Sequence, residues 1–375
     1  MEFRDLKKQY IKYKEKIDNS INAVLNTGCY IQGKQVDGLE EELADFAGVK
    51  HCITCANGTD ALQISLMAMG VGYGDAVFVP DFTFFSSGEV IPVVGATPVF
   101  VDIDRKTFNI SVDSLKKAIE NVIHNTNLIP RVIIAVDLFG QPADYTGIKG
   151  IADKYDLLIL EDGAQGFGGK INDAMNCSFG NISTTSFFPA KPLGCYGDGG
   201  AIFTNSDEYN DMLRSLCVHG KGMDKYDNVR IGFNSRLDSI QAAVLRQKLL
   251  FLNEELMACN INARLYTEYL EHCVGVPFVM KEATSAWAQY TILLKDAGER
   301  KRVMEALEQQ GIPSMIYYRK GLHKQSAFKD YQLDFQDCSV TDDVSERCLS
   351  LPMHAYLEEW EIAIITDTIC KAVKG

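Results

Sequence analysis

Short apolar runs and amphipathic stretches alternate through the first half of the chain. The apolar runs have strand length, and they occupy residues 52–56, 76–80, 97–103, 132–138, 157–161, 182–187 and 200–204. The stretches at 59–69, 112–122 and 144–154 carry apolar side chains at helical spacing. Because strands that alternate with helices are joined by crossover connections, this pattern predicts an α/β fold with a mostly parallel sheet between helices.

The alternation stops after Asn205. Residues 237–256 then predict one long helix, and the rest of the chain mixes helices with short strands at 288–294 and 314–318. We therefore expect a large domain over residues 1–250 and a smaller C-terminal α/β domain over 251–375, with the N-terminal helical segment free to pack on the smaller one. A length of 375 residues agrees with two domains.

Composition and charge narrow the function classes. With 46% hydrophobic residues and a net charge of −13, the chain is of ordinary globular type. The acidic charge and the lack of a Lys/Arg run argue against a nucleic-acid partner. Because no apolar stretch approaches the length of a membrane span and the N-terminus lacks the apolar core of a signal peptide, we expect a cytoplasmic protein without a membrane partner.

The eleven cysteines indicate neither a disulfide framework nor a metal site. An odd number scattered along a chain that is expected to be cytoplasmic favours reduced thiols. Cys52 and Cys55 form a lone C-x-x-C within an apolar run, so we interpret them as part of a buried strand. The six histidines show no metal-binding spacing, and no metal is expected.

The segment Ser186-Phe-Phe-Pro-Ala-Lys191-Pro-Leu-Gly-Cys-Tyr-Gly-Asp-Gly-Gly200 is the most informative one. It places a lysine in a loop rich in proline and glycine between two predicted strands. Partial burial there would lower the pKa of the amine and leave some of it free to form a Schiff base. Taken alone, a loop lysine is more often a solvated surface charge.

Asp162 lies at the carboxyl end of a predicted strand, where ligands bind in open α/β sheets. A carboxylate at this place could pair with the pyridinium nitrogen of pyridoxal phosphate and keep the ring an electron sink. Gln165, three residues later, could hydrogen-bond the ring hydroxyl. The alternative for Asp162 is a simple helix cap.

Asn57-Gly58-Thr59 precedes a predicted helix and could seat a phosphate. Backbone N–H groups, the Thr59 hydroxyl and the helix dipole would receive the dianion, and Ser186 could add a hydroxyl. Phe84 follows another predicted strand and could stack on a cofactor ring. The simpler alternatives are an N-cap for Asn57 and a core position for Phe84.

Taken together, these motifs resemble the DegT/DnrJ/EryC1/StrS family of sugar aminotransferases, which use pyridoxal 5'-phosphate and have the aspartate aminotransferase fold (fold type I). The resemblance covers nearly the whole chain. It extends over Gly28-Cys-Tyr-Ile-Gln-Gly33, Asn57-Gly-Thr-Asp-Ala-Leu62, Glu161-Asp-Gly-Ala-Gln165, Ser186-Phe-Phe-Pro-Ala-Lys191, His219-Gly220, Gly232-Phe-Asn-Ser-Arg-Leu-Asp238 and Leu351-Pro-Met-His354.

The resemblance implies roles for the cofactor residues. Lys191 would be the Schiff-base lysine and general base, and Asp162 the partner of the pyridinium nitrogen. Gln165 would contact the ring hydroxyl and Phe84 would stack on the ring. The residues expected to hold the phosphate are Gly58, Thr59 and Ser186.

The resemblance also implies a homodimer with shared active sites and a particular substrate. Asn234 would reach the phosphate of the neighbouring subunit, Arg236 would bind a sugar carboxylate, and Tyr318 and His323 would contact the sugar. Residues 191–200 and 229–236 are similar to those of family members that aminate C3 of UDP-2-acetamido-2-deoxy-3-oxo-D-glucuronate. We therefore expect L-glutamate as amino donor and a role in bacterial surface polysaccharide (O-antigen) synthesis.

Three alternatives stay open at this point. The substrate could be a 3- or 4-oxo-6-deoxyhexose on a dTDP or UDP carrier, which has no carboxylate for Arg236. The sugar dehydratases of the family carry histidine in place of the Schiff-base lysine, and Lys191 argues against that branch. A regulatory protein that binds the cofactor or the sugar nucleotide without turnover belongs to another class, and the intact set of Lys191, Asp162 and Gln165 argues against it.

Overall fold

The computed structural model describes residues 1–224 and 226–374. Its α-helices are α1 (Leu6–Thr27), α2 (Lys34–Ala47), α3 (Gly58–Ala68), α4 (Phe85–Val93), α5 (Val112–Asn125), α6 (Tyr145–Tyr155), α7 (Asp207–Cys217), α8 (Ser239–Leu270), α9 (Ala297–Gln309), α10 (Ser339–Arg347) and α11 (Glu359–Lys374). Short 3-10 helices cover Leu138–Gly140, Leu322–Lys324 and Ser326–Tyr331.

The strands are β1 (His51–Cys55), β2 (Asp75–Pro80), β3 (Thr97–Val101), β4 (Ile129–Val136), β5 (Leu158–Asp162), β6 (Lys170–Ile171), β7 (Ala174–Met175), β8 (Ile182–Ser186), β9 (Gly200–Thr204), β10 (Ala283–Thr284), β11 (Tyr290–Leu293) and β12 (Cys348–Leu351). The main sheet has seven strands in the order β1-β9-β8-β5-β4-β2-β3. Its pairs from β8 to β3 are parallel, and β9 is antiparallel to both neighbours. The predicted α/β fold with a mostly parallel sheet is confirmed.

The sheet brings several chain segments to one edge. Strand β5 ends at Asp162 and β2 ends just before Asp81. Because parallel strands end at the same edge of a sheet, the loops that follow them lie side by side. Strand β8 is parallel to β5 and runs from Ile182 into the loop that carries Lys191.

Helix α8 runs without interruption through the predicted domain boundary at residue 250. The N-terminal helix α1 packs on it, with the ring of Tyr13 stacked on that of Phe251 at 3.9 Å between centroids. A second apolar core consists only of residues between Cys259 and Ile369. It supports a separate small domain, and we retain the two-domain division as a proposal.

The segment at 314–318 differs from its prediction. In place of a strand it contributes one bridge, in which the N–H groups of Met315 and Ser350 each donate to the other residue's carbonyl, at 3.1 and 2.8 Å. Pro313 has no N–H to extend the pairing, and the chain turns at Tyr317. The prediction of a strand at 314–318 is therefore wrong about its extent, although the segment does pair with a strand through Met315.

The expectation that all cysteines are reduced is wrong for one pair. Cys273 and Cys370 form a disulfide with a Cα–Cα distance of 5.7 Å, although 97 residues separate them. Cys273 follows α8 and Cys370 lies in α11, so tertiary packing brings them together and sequence spacing gives no sign of it. Cys52 and Cys55 are free and buried in β1, as predicted.

Among the described residues, no helix combines the length and apolar character needed to cross a bilayer.

Candidate active site

The loop that carries Lys191 is tightly folded between β8 and β9. The N–H of Phe187 donates to Gly199 O at 2.7 Å, and the N–H of Lys191 donates to Phe188 O at 2.8 Å. A Cβ atom on Gly194 would lie 2.4 Å from the carbonyl oxygen of Pro189, so only glycine fits there. The main chain of Lys191 is therefore held in place independently of any ligand.

Lys191 and Asp162 influence each other electrostatically. Burial lowers the pKa of the Lys191 amine, the nearby Asp162 carboxylate opposes this effect, and the guanidinium of Arg4 adds to it. A lowered pKa increases the fraction of free amine at neutral pH, which is the form that attacks a carbonyl.

Asp162 is a buried carboxylate at the end of β5, only 5% exposed. Its Oδ2 accepts a hydrogen bond from Ser87 Oγ at 2.7 Å, and its Oδ1 accepts one from Ala164 N at 3.2 Å. Burial raises the pKa of Asp162, whereas the Ser87 hydroxyl and Lys191 lower it. The ionised form of a buried carboxylate is stabilised by a nearby cation. The protonated nitrogen of a pyridine ring would be a cation of this kind.

The start of α3 forms a cradle for an anion. Asn57 Oδ1 caps the helix by accepting from Asp60 N at 2.8 Å, and the first intrahelical bond runs from Ala61 N to Asn57 O. The N–H groups of Gly58 and Thr59 precede that bond, so the helix itself does not use them. A Cβ on Gly58 would lie 2.7 Å from Ser186 Cβ, so the cradle is tight where the predicted phosphate residues meet.

The Thr59 hydroxyl lies 2.9 Å from the hydroxyl of Ser86. Ser86 therefore joins Gly58, Thr59 and Ser186 around the start of α3. Phe84, which immediately precedes α4, has a side chain that is 55% exposed. The alternative of a core position for Phe84 is thus wrong, and its ring is free to stack on a ligand.

Gln165 is 3% exposed and is held at both ends of its amide. Its Oε1 accepts from Phe139 N at 2.9 Å, and its Nε2 donates to the hydroxyl of Tyr318 at 3.2 Å. The structure thus brings together two residues that were predicted separately, one for the cofactor and one for the sugar.

His323 is anchored to the residue that directly follows β2. Its ring Nδ1 lies 2.6 Å from Asp81 Oδ2, and its main-chain N–H donates to Asp81 Oδ1 at 2.7 Å. The hydrogen bond with Asp81 raises the pKa of His323. This pair attaches the segment between Tyr318 and His323 to the large sheet.

Asn234 and Arg236 contact each other on either side of Ser235, whose hydroxyl accepts a hydrogen bond from Ala56 N at 3.0 Å. Arg236 Nη2 donates to Asn234 Oδ1 at 2.5 Å, Asn234 is exposed, and Arg236 lines a cavity of about 150 Å³. Within the described residues, no hydrogen bond joins either of them to Lys191, Asp162 or Gln165. Within the single chain, the predicted roles of Asn234 and Arg236 therefore have no direct link to these three residues.

Among the described residues, two groups of potential metal ligands have their ligand atoms within 4.8 Å of one another: Asp81 with His323 and Cys338, and His272 with Cys273 and Cys370. In the first group Asp81 and His323 are already bonded to each other, and in the second the cysteines form the disulfide. The absence of a metal stays a prediction.

Three residues of the site were not predicted from the sequence. Ser86 and Ser87 stand directly after Phe85 in the segment 81–87, and their position at the start of a helix was an available signal. Arg4 donates from Nη2 to the carbonyl oxygen of Lys191 at 3.1 Å, across 187 residues of chain. No local pattern marks Arg4.

The residues present fit pyridoxal 5'-phosphate. A lysine with a lowered pKa, a buried carboxylate, an exposed aromatic ring and a tight anion cradle match its carbonyl, pyridine nitrogen, ring face and phosphate. Asp162 would hold the nitrogen, and Gly58, Thr59, Ser86 and Ser186 would hold the phosphate.

Comparison with known proteins agrees with this fit. The DegT/DnrJ/EryC1/StrS aminotransferase family matches residues 12–370. A UDP-2-acetamido-2-deoxy-3-oxo-D-glucuronate aminotransferase of Pseudomonas aeruginosa is 44% identical over 97% of this chain and 98% of its own. A crystal structure of a DegT DnrJ EryC1 StrS aminotransferase from Brucella abortus is 47% identical, with a TM-score of 0.97 and full coverage of both chains.

A further structure, NtdA from Bacillus subtilis with bound cofactor PMP, is 26% identical and covers 97% of this chain and 82% of its own, with a TM-score of 0.88. The fold, the site and these similarities agree with one another. The chain belongs to the DegT/DnrJ/EryC1/StrS aminotransferase family, and it is a nucleotide-sugar aminotransferase that uses pyridoxal 5'-phosphate.

Proposed function

We propose that this enzyme converts UDP-2-acetamido-2-deoxy-3-oxo-D-glucuronate to its 3-amino sugar, with L-glutamate as the amino donor. The observation that carries the proposal is the 44% identity, over nearly the full length of both chains, to an aminotransferase of that name. Arg236 supplies independent chemical support, because its planar guanidinium suits a sugar carboxylate.

The proposed catalytic residue is Lys191. Its free amine takes a proton from the α-carbon of glutamate and later delivers a proton to C3 of the sugar. When bound, pyridoxal phosphate carries the amino group between the two substrates and stabilises negative charge at the reacting carbon. Asp162 holds the positive charge on the pyridine nitrogen, and Ser87 fixes the orientation of that carboxylate.

The other side chains orient the two substrates and the cofactor. Phe84 lies against the ring face and Gln165 contacts the ring hydroxyl. Tyr318 and His323 border the sugar, and the hydrogen bonds from Gln165 and to Asp81 hold them in place.

The protein acts as a homodimer with shared active sites in this proposal. Exposed apolar side chains lie beside Asn234 and Arg236, either a few residues earlier in the chain or in the segment that pairs with Asp238. They are Tyr30, Ile31, Met223, Val229 and Ile231. The N–H of Ser239 donates to Tyr30 O at 2.9 Å. This bond places residues 30–31 beside the segment that leads into α8. A patch of this kind is typical of an interface between protein chains.

Asn234 and Arg236 would then reach the neighbouring subunit's site, where Asn234 binds the cofactor phosphate and Arg236 binds the sugar carboxylate. The reaction takes place in the cytoplasm, and its product feeds bacterial surface polysaccharide (O-antigen) synthesis.

The test is a comparison of nucleotide sugars with the purified protein, pyridoxal phosphate and L-glutamate. The panel contains UDP-3-oxo-N-acetylglucosaminuronate, the same UDP-sugar with a hydroxymethyl group in place of the carboxylate, and 3- and 4-oxo-6-deoxyhexoses on dTDP. Mass spectrometry of the aminated products should show fastest turnover of the uronate. Equal or faster amination of a sugar without a carboxylate would contradict the substrate assignment.

A further inference from the structure

The N-terminal segment ahead of α1 is fixed against the body of the protein. The main-chain N–H of Met353 donates to Phe3 O at 3.1 Å, and the ring of Phe3 meets that of Tyr317 edge-on. Asp5 caps α1 by accepting from Lys8 N at 2.8 Å. Arg4 lies between these two anchors, so its side chain has a defined direction.

The side chain of Arg4 extends to the loop that carries Lys191. Arg4 Nη2 donates to the carbonyl oxygen of Lys191 at 3.1 Å. Pro192, the next residue in the loop, lines the same small cavity as Arg4. The guanidinium therefore contacts the main chain of the proposed catalytic residue.

The rest of the guanidinium faces a cavity of about 20 Å³ between α1 and α8. Arg4 Nη1 is buried there without a hydrogen-bond partner among the described residues, and so is Gln9 Oε1. Arg4 as a whole is half-buried, and the burial of Nη1 reduces the solvent screening of its charge on that side.

In the described part of the chain, no carboxylate forms a direct ion pair with Arg4. Glu255, Tyr356 and Cys259 face it. Glu255 accepts hydrogen bonds from Gln9 Nε2 at 2.9 and 3.1 Å and from the Tyr356 hydroxyl. Asp5 and His354 line the same cavity, and burial lowers the pKa of His354 to about 4, so its ring is neutral at pH 7.

Two charges act on the amine of Lys191 from these surroundings. Asp162 raises its pKa and Arg4 lowers it, in addition to the lowering by burial. Without Arg4, the pKa of the Lys191 amine should rise, and a larger fraction of the amine should be protonated. The protonated amine cannot act as a nucleophile or a base.

We propose that Arg4 is a positioning residue for the aminotransferase reaction: its guanidinium holds the main chain of Lys191, and its positive charge acts on the side chain of that lysine. The inference rests on the proposed role of Lys191. It does not depend on which sugar is the substrate.

The test measures the amine itself in cofactor-free protein. Lys191 is acetylated with acetic anhydride over a range of pH values, and peptide mass spectrometry gives the rate, because only the free amine reacts. Arg4→Gln removes the charge, and Arg4→Lys retains it. Lys7→Gln is the matched control, since it makes the same change in charge at an exposed position of α1.

In Arg4→Gln the acetylation profile of Lys191 should shift to higher pH, so that at a fixed pH below the pKa the rate falls about three- to tenfold. Lys7→Gln should follow the wild-type profile. A wild-type profile in folded Arg4→Gln would overturn the proposal.

Arg4→Lys gives a second test, which also applies where circular dichroism shows that Arg4→Gln does not fold. The wild-type profile should be preserved in this variant because the charge stays. If acetylation of Lys191 in Arg4→Lys shifted to the higher pH range in which exposed lysines of the same protein react, the proposal would be overturned. Because no sugar is added, failure of the substrate assignment leaves both results interpretable.

Discussion

Gln165 and Tyr318 join the two halves of the candidate site through a hydrogen bond of 3.2 Å from the Gln165 amide to the Tyr318 hydroxyl. The Gln165 carbonyl oxygen is bonded to Phe139 N at the same time, so the amide has a single orientation. Burial raises the pKa of Tyr318, and its hydroxyl therefore keeps its proton and has it available for a ligand. The residue proposed to contact the cofactor and the residue proposed to contact the sugar are therefore hydrogen-bonded to each other independently of any ligand.

Tyr318→Phe should weaken catalysis without unfolding the protein. It removes the acceptor for Gln165 Nε2 and leaves that N–H unpaired, at a cost of about 1 to 1.5 kcal/mol. We expect kcat/KM to fall about tenfold in steady-state assays. Tyr331→Phe is the control in the same region of the chain, and full activity of Tyr318→Phe would contradict the proposed coupling.

Gly58→Ala should disrupt the phosphate cradle. The new Cβ would lie 2.7 Å from Ser186 Cβ and 3.3 Å from its Cα, so Ser186 or the start of α3 must move. We expect the dissociation constant for pyridoxal phosphate, measured by fluorescence titration, to rise at least about tenfold.

Gly150→Ala is the matched control for that variant. Gly150 lies in α6, and a Cβ there would meet no atom within 4 Å. The control should bind the cofactor as the wild type does. Equal affinities for Gly58→Ala and Gly150→Ala would show that the phosphate binds elsewhere.

Arg236→Ala should distinguish between substrates. A bidentate bond to a carboxylate contributes about 1.5 to 3 kcal/mol, so kcat/KM for UDP-3-oxo-N-acetylglucosaminuronate should fall about 10- to 100-fold. Turnover of the same UDP-sugar without the carboxylate should hardly change.

Arg230→Ala, at an exposed position in the same part of the chain, is the control for Arg236. If Arg236→Ala slowed both sugars equally, Arg236 would support the structure or the dimer and not the carboxylate.

His354 should make the protein sensitive to acid. Burial is the main cause that lowers its pKa to about 4, against about 6.5 in an unfolded chain. Between these two pH values the unfolded state binds a proton that the folded state does not. The free energy of unfolding should therefore fall as the pH drops from 6.5 to 4, by about 2 to 3 kcal/mol from this residue alone.

Urea unfolding at pH 7 and pH 4.5 measures this effect. His354→Gln should lose less stability between the two pH values than the wild type, and the exposed His124→Gln should behave as the wild type does. An equal loss in all three proteins would contradict the assignment to His354.

The elements whose residues carry their own local signal could be predicted from the sequence. Strand β9 was predicted with its observed bounds because its apolar run is followed by a polar one at Asn205. Asp162 could be placed at the end of a strand for the same reason, since β5 is a continuous apolar run that ends in two acidic residues. Asn57 and Gly58 mark the start of α3 by their capping chemistry.

The rest depends on contacts between distant parts of the chain. Arg4 reaches Lys191 only because the N-terminal segment is anchored beside Met353, and no periodicity encodes that. The disulfide of Cys273 with Cys370 requires α8 and α11 to pack together. Helix α8 continues to Leu270 because its later turns, including Tyr266, are buried in the small-domain core, whereas its amphipathic pattern suggested an end near residue 256.

The decisive measurement is the visible absorption spectrum of the purified protein with pyridoxal phosphate, recorded alone, after L-glutamate, and then after UDP-3-oxo-N-acetylglucosaminuronate. Glutamate should bleach the band of the protein-bound cofactor, and the sugar should restore it as the amino group is passed on. A band that glutamate bleaches and this sugar fails to restore would contradict the proposed substrate, and a band that glutamate leaves unchanged would contradict glutamate as the donor.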